Sequence, residues 1–241
     1  MPAQSPSFPS AANFRDLADH VPERFRMRRH TLFRSDHLGA LNEYDAGQIQ
    51  ALGIRRVLDF RGVDERTSAA CVLPDVTLHS LSIEPTIVQK LQDVLAAGKD
   101  LTEDDVVMLM QDTYRGFVRT STHRFAEFFA LLLESNEPTV FHCTAGKDRT
   151  GFAAALFLYA MGVPQDVVMR DYMHTNDRLR PPPGTFFPEV VSRVLYRVQP
   201  EFLDAAFEAI EQDYGSMDAY LLAGLRLRPA DRARLSDLYR A

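Results

Sequence analysis

Ten residues, His142-Cys143-Thr144-Ala145-Gly146-Lys147-Asp148-Arg149-Thr150-Gly151, stand between two stretches that leave them little freedom. Ahead of them Pro138-Thr139-Val140-Phe141 reads as a short buried strand, and behind them Phe152 to Met161 is apolar enough for a fully buried helix ending at Gly162. A buried strand feeding a buried helix is half of a parallel-sheet unit, so the chain is expected to be α/β. The loop between them then sits at a helix N-terminus. Unpaired backbone N–H groups and about half a positive charge face outward there, which makes a seat for an oxyanion.

The side chains in that seat suggest a covalent chemistry. A helix N-terminus with a neighbouring cation favours a thiolate over a thiol, and Cys143 is placed to be that nucleophile. Arg149 lies six positions on, where a curled loop returns its planar fork to the same anion; the fork holds two oxygens at once, as a lysine does not. Gly146 lets the backbone turn and Gly151 permits close approach behind it. Thr150 offers a hydroxyl to a departing thiolate, and His142 is expected to order the loop by hydrogen bonding. Thr144, Ala145, Gly146, Lys147, Asp148 and Arg149 are the expected phosphate-binding residues.

The ten residues resemble the Cys-x5-Arg signature of the protein tyrosine phosphatase superfamily. Their full wording is most similar to the bacterial tyrosine and lipid phosphatases, the family of secreted mycobacterial and Listeria enzymes. Other segments resemble that family in order: Asn13-Phe14-Arg15-Asp16-Leu17, Leu32-Phe33-Arg34-Ser35, Val57-Leu58-Asp59-Phe60-Arg61, Asp171-Tyr172 with Thr175-Asn176-Asp177, and Tyr214-Gly215-Ser216 with Tyr220-Leu221. The resemblance implies a phosphotyrosine-phosphatase-like fold and a cysteinyl-phosphate intermediate in hydrolysis of phosphate monoesters. It implies phosphotyrosine proteins as substrates, with phosphoserine, phosphothreonine and phosphoinositides as further classes. It also suggests Asp148 as general acid, since the Trp-Pro-Asp loop of many relatives has no counterpart in a chain without tryptophan. Glu84, just after a strand, is the alternative acid, and Asp148 as a purely structural loop residue is the plainer reading. Lys147 resembles the second cation of phosphoinositide phosphatases; an ordinary solvated lysine is the equal alternative. Asp59 is expected to hold the loop or to pair with Arg61.

Composition narrows the field. A formal charge of −6 argues against a general polyanion binder, so nucleic acid is not an expected partner. Only Cys71 and Cys143 are present, which makes no disulfide framework; a protective link between them under oxidation is an alternative to Cys71 as a small buried hydrophobe. No Cys-x2-Cys or His-Glu-x2-His pattern occurs, and the chemistry is expected to need no metal and no cofactor. Met1 to Ser10 lacks a signal-peptide pattern and no apolar run approaches the ~18 residues of a membrane span. A cytoplasmic protein without integral membrane contact is expected, with export by a route lacking a cleaved signal and the oligomeric state left open. A phosphate-binding scaffold and a sulfur- or arsenate-handling enzyme with a similar anion loop are the competing functions.

The 241 residues and 46% hydrophobic content suit one domain with a helical insertion and a helical C-terminus. Met1 to Ala12, rich in Pro and Ser, reads as a loose arm. Strands are expected at Thr31–Ser35, Arg55–Arg61, Val76–Ser82 and Pro138–Cys143, with a helix from Tyr44 to Ala51 closing near Gly53. They predict a mainly parallel sheet covered by helices on both faces, with Cys143 beyond a carboxyl end. Within the 84–137 insertion, Ile87, Val88, Leu91, Val94 and Leu95 mark an amphipathic helix closed by Gly98, either a lid over the pocket or a helix packed on the sheet. Thr102 with Asp105 resembles a capping box for a second helix through Phe117, and Ser121 is the expected cap of a third carrying Phe125, Phe128, Phe129 and Leu132. Pro181-Pro182-Pro183-Gly184 breaks the chain, and Pro188 to Ala241 supplies three or four more helices.

Overall fold

The computed structural model of the chain describes residues 8–96, 98, 100–179 and 187–241. Residues 1–7 of the expected arm, the Pro181–Gly184 break and the Val88 side chain lie outside the described residues. The strands are β1 (Arg15–Asp16), β2 (Leu32–Ser35), β3 (Arg56–Asp59), β4 (Thr77–Ser80) and β5 (Thr139–His142). They form one sheet in the order β1-β2-β5-β3-β4, parallel throughout except for the β1–β2 pair. Register aligns Ser35, His142, Asp59 and Ser80 in one row at the carboxyl ends. The loop after β5, the central strand, therefore emerges between the chain ends of β2 and β3.

Alternation along the strands divides the core. Phe33, Val57 and Val140 face one side, with Phe8, Phe14, Leu38 and Ile49. Leu32, Leu58 and Phe141 face the other, in the larger core. The expected double covering holds for the central strands but not for β4, an edge strand whose Leu78 is exposed. Residues 8–12 are a correction to the expected arm: Phe8 and Ala11 are buried, and Phe8 meets Phe14 edge to face with centroids 5.0 Å apart. An apolar anchor among the Pro and Ser residues outweighs their preference for solvent. β1 has no sequence signal, since a two-residue strand is too short to show alternation.

The helices begin and end where local chemistry dictates. α1 (Glu43–Ala51) starts one residue earlier than expected because Asn42 Oδ1 accepts from Asp45 N–H at 2.8 Å, and Gly53 at φ +79° follows it. α2 (Val63–Ser68) follows β3. In the insertion, α3 (Thr86–Ala96) buries Ile87 and Leu91, α4 (Glu103–Arg119) opens with the Thr102–Asp105 capping box, and α5 (Thr122–Glu134) buries Phe125, Phe128, Phe129 and Leu132. Each of those α5 side chains contributes roughly 1.5–3 kcal/mol. Ser121 does not cap α5 through its side chain, contrary to expectation. Instead Thr122 Oγ1 turns back to the Val118 carbonyl and meets Tyr220 Oη at 3.0 Å.

α6 (Arg149–Ala160) starts three residues earlier than expected, with Phe152 N–H donating to the Asp148 carbonyl at 2.8 Å. Arg149 and Thr150 thus belong to the first turn and not to the loop. α7 (Gln165–Met173) and α8 (Thr175–Arg178) follow, then α9 (Glu189–Leu195), α10 (Pro200–Tyr214), α11 (Met217–Ala219) with a π-helical turn over Tyr220–Gly224, and α12 (Pro229–Tyr239). No helix among the described residues is long and apolar enough to cross a membrane.

Candidate active site

Between β5 and α6 the backbone turns its carbonyls outward to the scaffold. The Cys143 carbonyl accepts from His142 Nδ1 at 3.0 Å, and the Thr144 carbonyl from His37 N–H at 3.0 Å. Asn13 Nδ2 donates to the carbonyls of Ala145 (2.9 Å) and Gly146 (3.0 Å), and Arg34 donates to Gly146 as well at 3.0 Å. Among the described residues no protein acceptor is paired with the N–H groups of residues 144–148. A loop whose carbonyls are held from behind presents its amides forward, which is the geometry of an anion nest. Gly146 is required for the turn: its φ is +66°, and a Cβ there would lie 2.2 Å from the Ser35 carbonyl oxygen.

The scaffold behind the loop is itself buried and charged. Arg15 and Arg34 share Asp171, at 3.4 and 2.6 Å, with both guanidiniums fully buried. Arg15 also grips Asn13 Oδ1 at 2.6 Å, so the residue that orients two loop carbonyls is oriented in turn. Burial and the neighbouring Arg34 bring Arg15 down to about 9, which leaves it charged at neutral pH. Burial acts to raise the Asp171 carboxyl, but the two arginines outweigh it and hold it below its ordinary value.

Arg149 faces the opposite way. Its NH1 donates to Glu65 Oε2 (2.7 Å) and to the carbonyl of Ile83 (2.8 Å), and its NH2 donates to Glu65 Oε1 (2.8 Å). Glu65 comes from the first turn of α2 and also accepts from Gly62 N–H at 2.7 Å and from the Thr144 hydroxyl. Burial acts to raise the Glu65 carboxyl, but the bidentate bonds and charge of Arg149 outweigh it and bring Glu65 to about 2. The sequence reading did not single out Glu65. Its spacing from Gly62 signals a helix cap, and nothing local connects it to an arginine 84 positions away.

The other expected site residues are placed as follows. Cys143 is buried at the end of β5, next to the turn. Asp148 Oδ1 accepts from Tyr114 Oη at 2.9 Å, and Lys147 Nζ lies 2.7 Å from each of the Asp148 oxygens. Lys147 is therefore buried and paired rather than solvated. Thr150 Oγ1 is buried without a hydrogen-bond partner. Asp59 pairs with Arg61 at 2.8 Å, while His142 Nε2 lies 3.8 Å from Asp59 Oδ2. Burial brings the His142 imidazole down to about 4, so the ring is neutral at neutral pH. Glu84 Oε1 accepts from Val63 N–H (3.2 Å) and the Ser82 hydroxyl (3.1 Å). Cys71 and Cys143 are both free thiols, and burial pushes the Cys71 thiol up. Among the described residues no group of His, Cys, Asp or Glu side chains is arranged to hold a metal ion.

A cavity of about 400 Å³ opens over Asp148 and Arg149. Glu84 and Ile83 wall it on the sheet side, and Ile87, Thr113 and Phe117 wall it from the insertion helices. Asp148 and Arg149 thus line a cleft with a partly apolar wall, a shape suited to an ester with an organic leaving group.

The chain is similar to known proteins over most of its length. The profile described as the tyrosine phosphatase family matches residues 6–241. The triple specificity protein phosphatase PtpB of Mycobacterium tuberculosis is 31% identical over 269 residues, covering 94% of this chain and 96% of the relative. A putative tyrosine-protein phosphatase of Cupriavidus necator is 31% identical over 245 residues, covering 98% of this chain and 88% of the relative. The crystal structure of P. aeruginosa TpbA is 19% identical with a TM-score of 0.36, over 72% of this chain and 80% of that one.

Proposed function

We infer the chemistry from one premise: the chain belongs to the tyrosine phosphatase family and is a phosphoric monoester hydrolase of that type. The reading best supported for its residues is a two-step transfer through a cysteinyl phosphate. In the first step the Cys143 thiolate attacks phosphorus in line, the bond to the leaving oxygen breaks, and Asp148 gives that oxygen a proton. The amides of residues 144–149 and the Arg149 guanidinium hold the three equatorial oxygens. In the second step water attacks phosphorus, its proton passes to the Asp148 carboxylate, and the sulfur leaves with the unpaired Thr150 hydroxyl available to it. Glu65 supports this scheme by fixing one edge of the guanidinium through both of its oxygens. The single observation that carries the reading is the loop itself, whose carbonyls are bonded back to Asn13 and Arg34 while its N–H groups have no protein acceptor among the described residues.

For substrates, we propose phosphotyrosine proteins first, with phosphoserine, phosphothreonine and phosphoinositides as further classes. The apolar cleft wall suits an aryl ring, and the relative named a triple specificity phosphatase supports the wider range. Lys147 is a second cation beside the seat, and an incoming phosphate group competes with Asp148 for its ammonium. The reading treats the chain as one phosphatase domain in which the 84–137 insertion forms the upper wall of the cleft.

The test is a phosphate-release screen over phosphotyrosine, phosphoserine and phosphothreonine peptides and phosphoinositides. Cys143→Ser is expected to abolish turnover, and Asp148→Asn to lower it by about 10²–10⁴-fold, the range of general acid–base catalysis. Lys147→Ala is expected to cost more on phosphoinositides than on phosphotyrosine. Turnover surviving in Cys143→Ser overturns the nucleophile assignment, and equal losses in Lys147→Ala overturn the lipid half.

A further inference from the structure

Asp148 is held by more than its own loop. Tyr114 Oη lies 2.9 Å from Asp148 Oδ1, and Tyr172 Oη lies 2.6 Å from Tyr114 Oη. A carboxylate only accepts, so the single hydroxyl hydrogen of Tyr114 goes to Asp148. Tyr172 must then be the donor to Tyr114. Both rings are fully buried, and burial together with the Asp148 charge keeps both phenols protonated. The chain of hydroxyls joins three separate elements, Tyr172 on α7, Tyr114 on α4 and Asp148 just ahead of α6. The two rings meet edge to face at 6.3 Å, and Tyr172 also packs behind the loop helix, 3.0 Å from where a Cβ on Gly151 would lie. Neither ring is free to turn away from the carboxylate.

We propose that Tyr114 is a positioning residue for proton transfer, supported by Tyr172, and that the pair occupies Asp148 Oδ1 so that the transferable proton resides on Oδ2. The inference rests on the reading above in which Asp148 is the general acid. A proton on Oδ1 would make that oxygen a weaker acceptor for Tyr114 or, if aimed along the hydrogen bond, would force both hydroxyls to reverse against the order set by two buried phenols. With the proton on Oδ2, Oδ1 keeps accepting from Tyr114 in both charge states. In the first step the Oδ2–H bond breaks as the leaving oxygen parts from phosphorus and takes the proton. In the second, the proton of the attacking water returns to Oδ2. The Tyr114 hydrogen is not transferred in either. Lys147 Nζ lies against both carboxylate oxygens, and a phosphate in the nest offers its ammonium another partner. Tyr114 has no such alternative and keeps the carboxyl group from following.

Leaving-group dependence reads this directly, because a proton matters most to an oxygen that departs poorly. Tyr114→Phe, Tyr172→Phe and Asp148→Asn would be measured for kcat/KM on aryl phosphates from dinitrophenyl to phenyl phosphate, with thermal melts to confirm folding. Asp148→Asn is expected to steepen the dependence. Tyr114→Phe is expected to steepen it in the same sense, with a loss of about three- to tenfold on phenyl phosphate and a smaller one on dinitrophenyl phosphate, the scale of one hydrogen bond. Adding Tyr114→Phe to Asp148→Asn should steepen it no further. A uniform loss across the series in Tyr114→Phe, or none, beside a steepened Asp148→Asn overturns the positioning role and leaves the acid standing. An unsteepened Asp148→Asn overturns the acid reading itself. Should Tyr114→Phe not fold, Tyr172→Phe, which removes only the support, is expected to lose about two- to threefold on phenyl phosphate, again selectively. A uniform loss there also overturns the inference.

Discussion

A single carboxylate, Glu65, holds Arg149 by its fork. Its two oxygens take NH1 and NH2 at 2.7 and 2.8 Å, and the carbonyl of Ile83 takes NH1 as well. Glu65→Gln keeps the shape but loses the charge and one acceptor. Hydrogen bonds to charged groups contribute about 1.5–3 kcal/mol, so kcat/KM on an aryl phosphate is expected to fall by about 10- to 100-fold. A change within twofold would show that the arginine holds itself in place. Glu65 is depressed to about 2, so its contribution is present above the ordinary carboxylate range and is lost only as pH falls toward that value. The expected loss is therefore constant from pH 5 to 8. Cys143 and Arg149 stand out from the ten-residue pattern around them, whereas Glu65 does not. Its partner lies in a different helix, and only the folded chain brings the two together.

At the scale of elements, the loop is shaped by what stands behind it. Asn13 precedes β1, Arg15 lies in it, Arg34 lies in β2 and Asp171 in α7, and together they fix the loop carbonyls without reaching the cleft. Asp171→Asn leaves two buried guanidiniums sharing one neutral amide. Breaking a buried ion pair by removing one partner costs about 3–5 kcal/mol, and a loss of unfolding free energy of that order is expected from urea denaturation curves. A loss below about 1 kcal/mol would mean that the arginines are satisfied by their other acceptors alone, the carbonyls of Asn13, Asp171 and Gly146 and the Thr175 hydroxyl. The segments containing these residues stood out in the sequence, but their task did not. Nor did β1, because two residues carry no period. The start of α6 escapes the sequence pattern for a related reason: Arg149-Thr150-Gly151 lacks the apolar run of a buried helix, so periodicity does not mark the first turn.

For the molecule as a whole, the row of carboxyl strand ends concentrates polar groups over a dry core, and Asp36 shows the consequence. It follows β2, accepts from Asn13 N–H and the Ser35 hydroxyl at 3.2 Å each, and is pushed up to about 6 by burial. A carboxyl raised in the folded state contributes stability that is complete below its unfolded value near 4 and is lost as pH rises through about 6. Asp36→Asn keeps the acceptor and removes the charge. It is expected to gain roughly 1–3 kcal/mol at pH 7.5 and nothing at pH 4, read from urea midpoints at both. Parallel curves for the two proteins would sink the idea. The sequence by itself determined that a parallel sheet carries a cysteine at the end of one strand, with an arginine six residues on, at the start of a buried helix. Those are consequences of local pattern, in which apolar runs set the elements and the loop chemistry sets the anion seat. Only the tertiary structure decided which groups hold that seat: Glu65 on Arg149, Asn13 and Arg34 behind the loop, Tyr114 on Asp148. Each is a hydrogen bond between residues far apart in the chain, and such a bond leaves no periodic trace in the sequence because its partners need only the right chemistry, at whatever separation the fold closes.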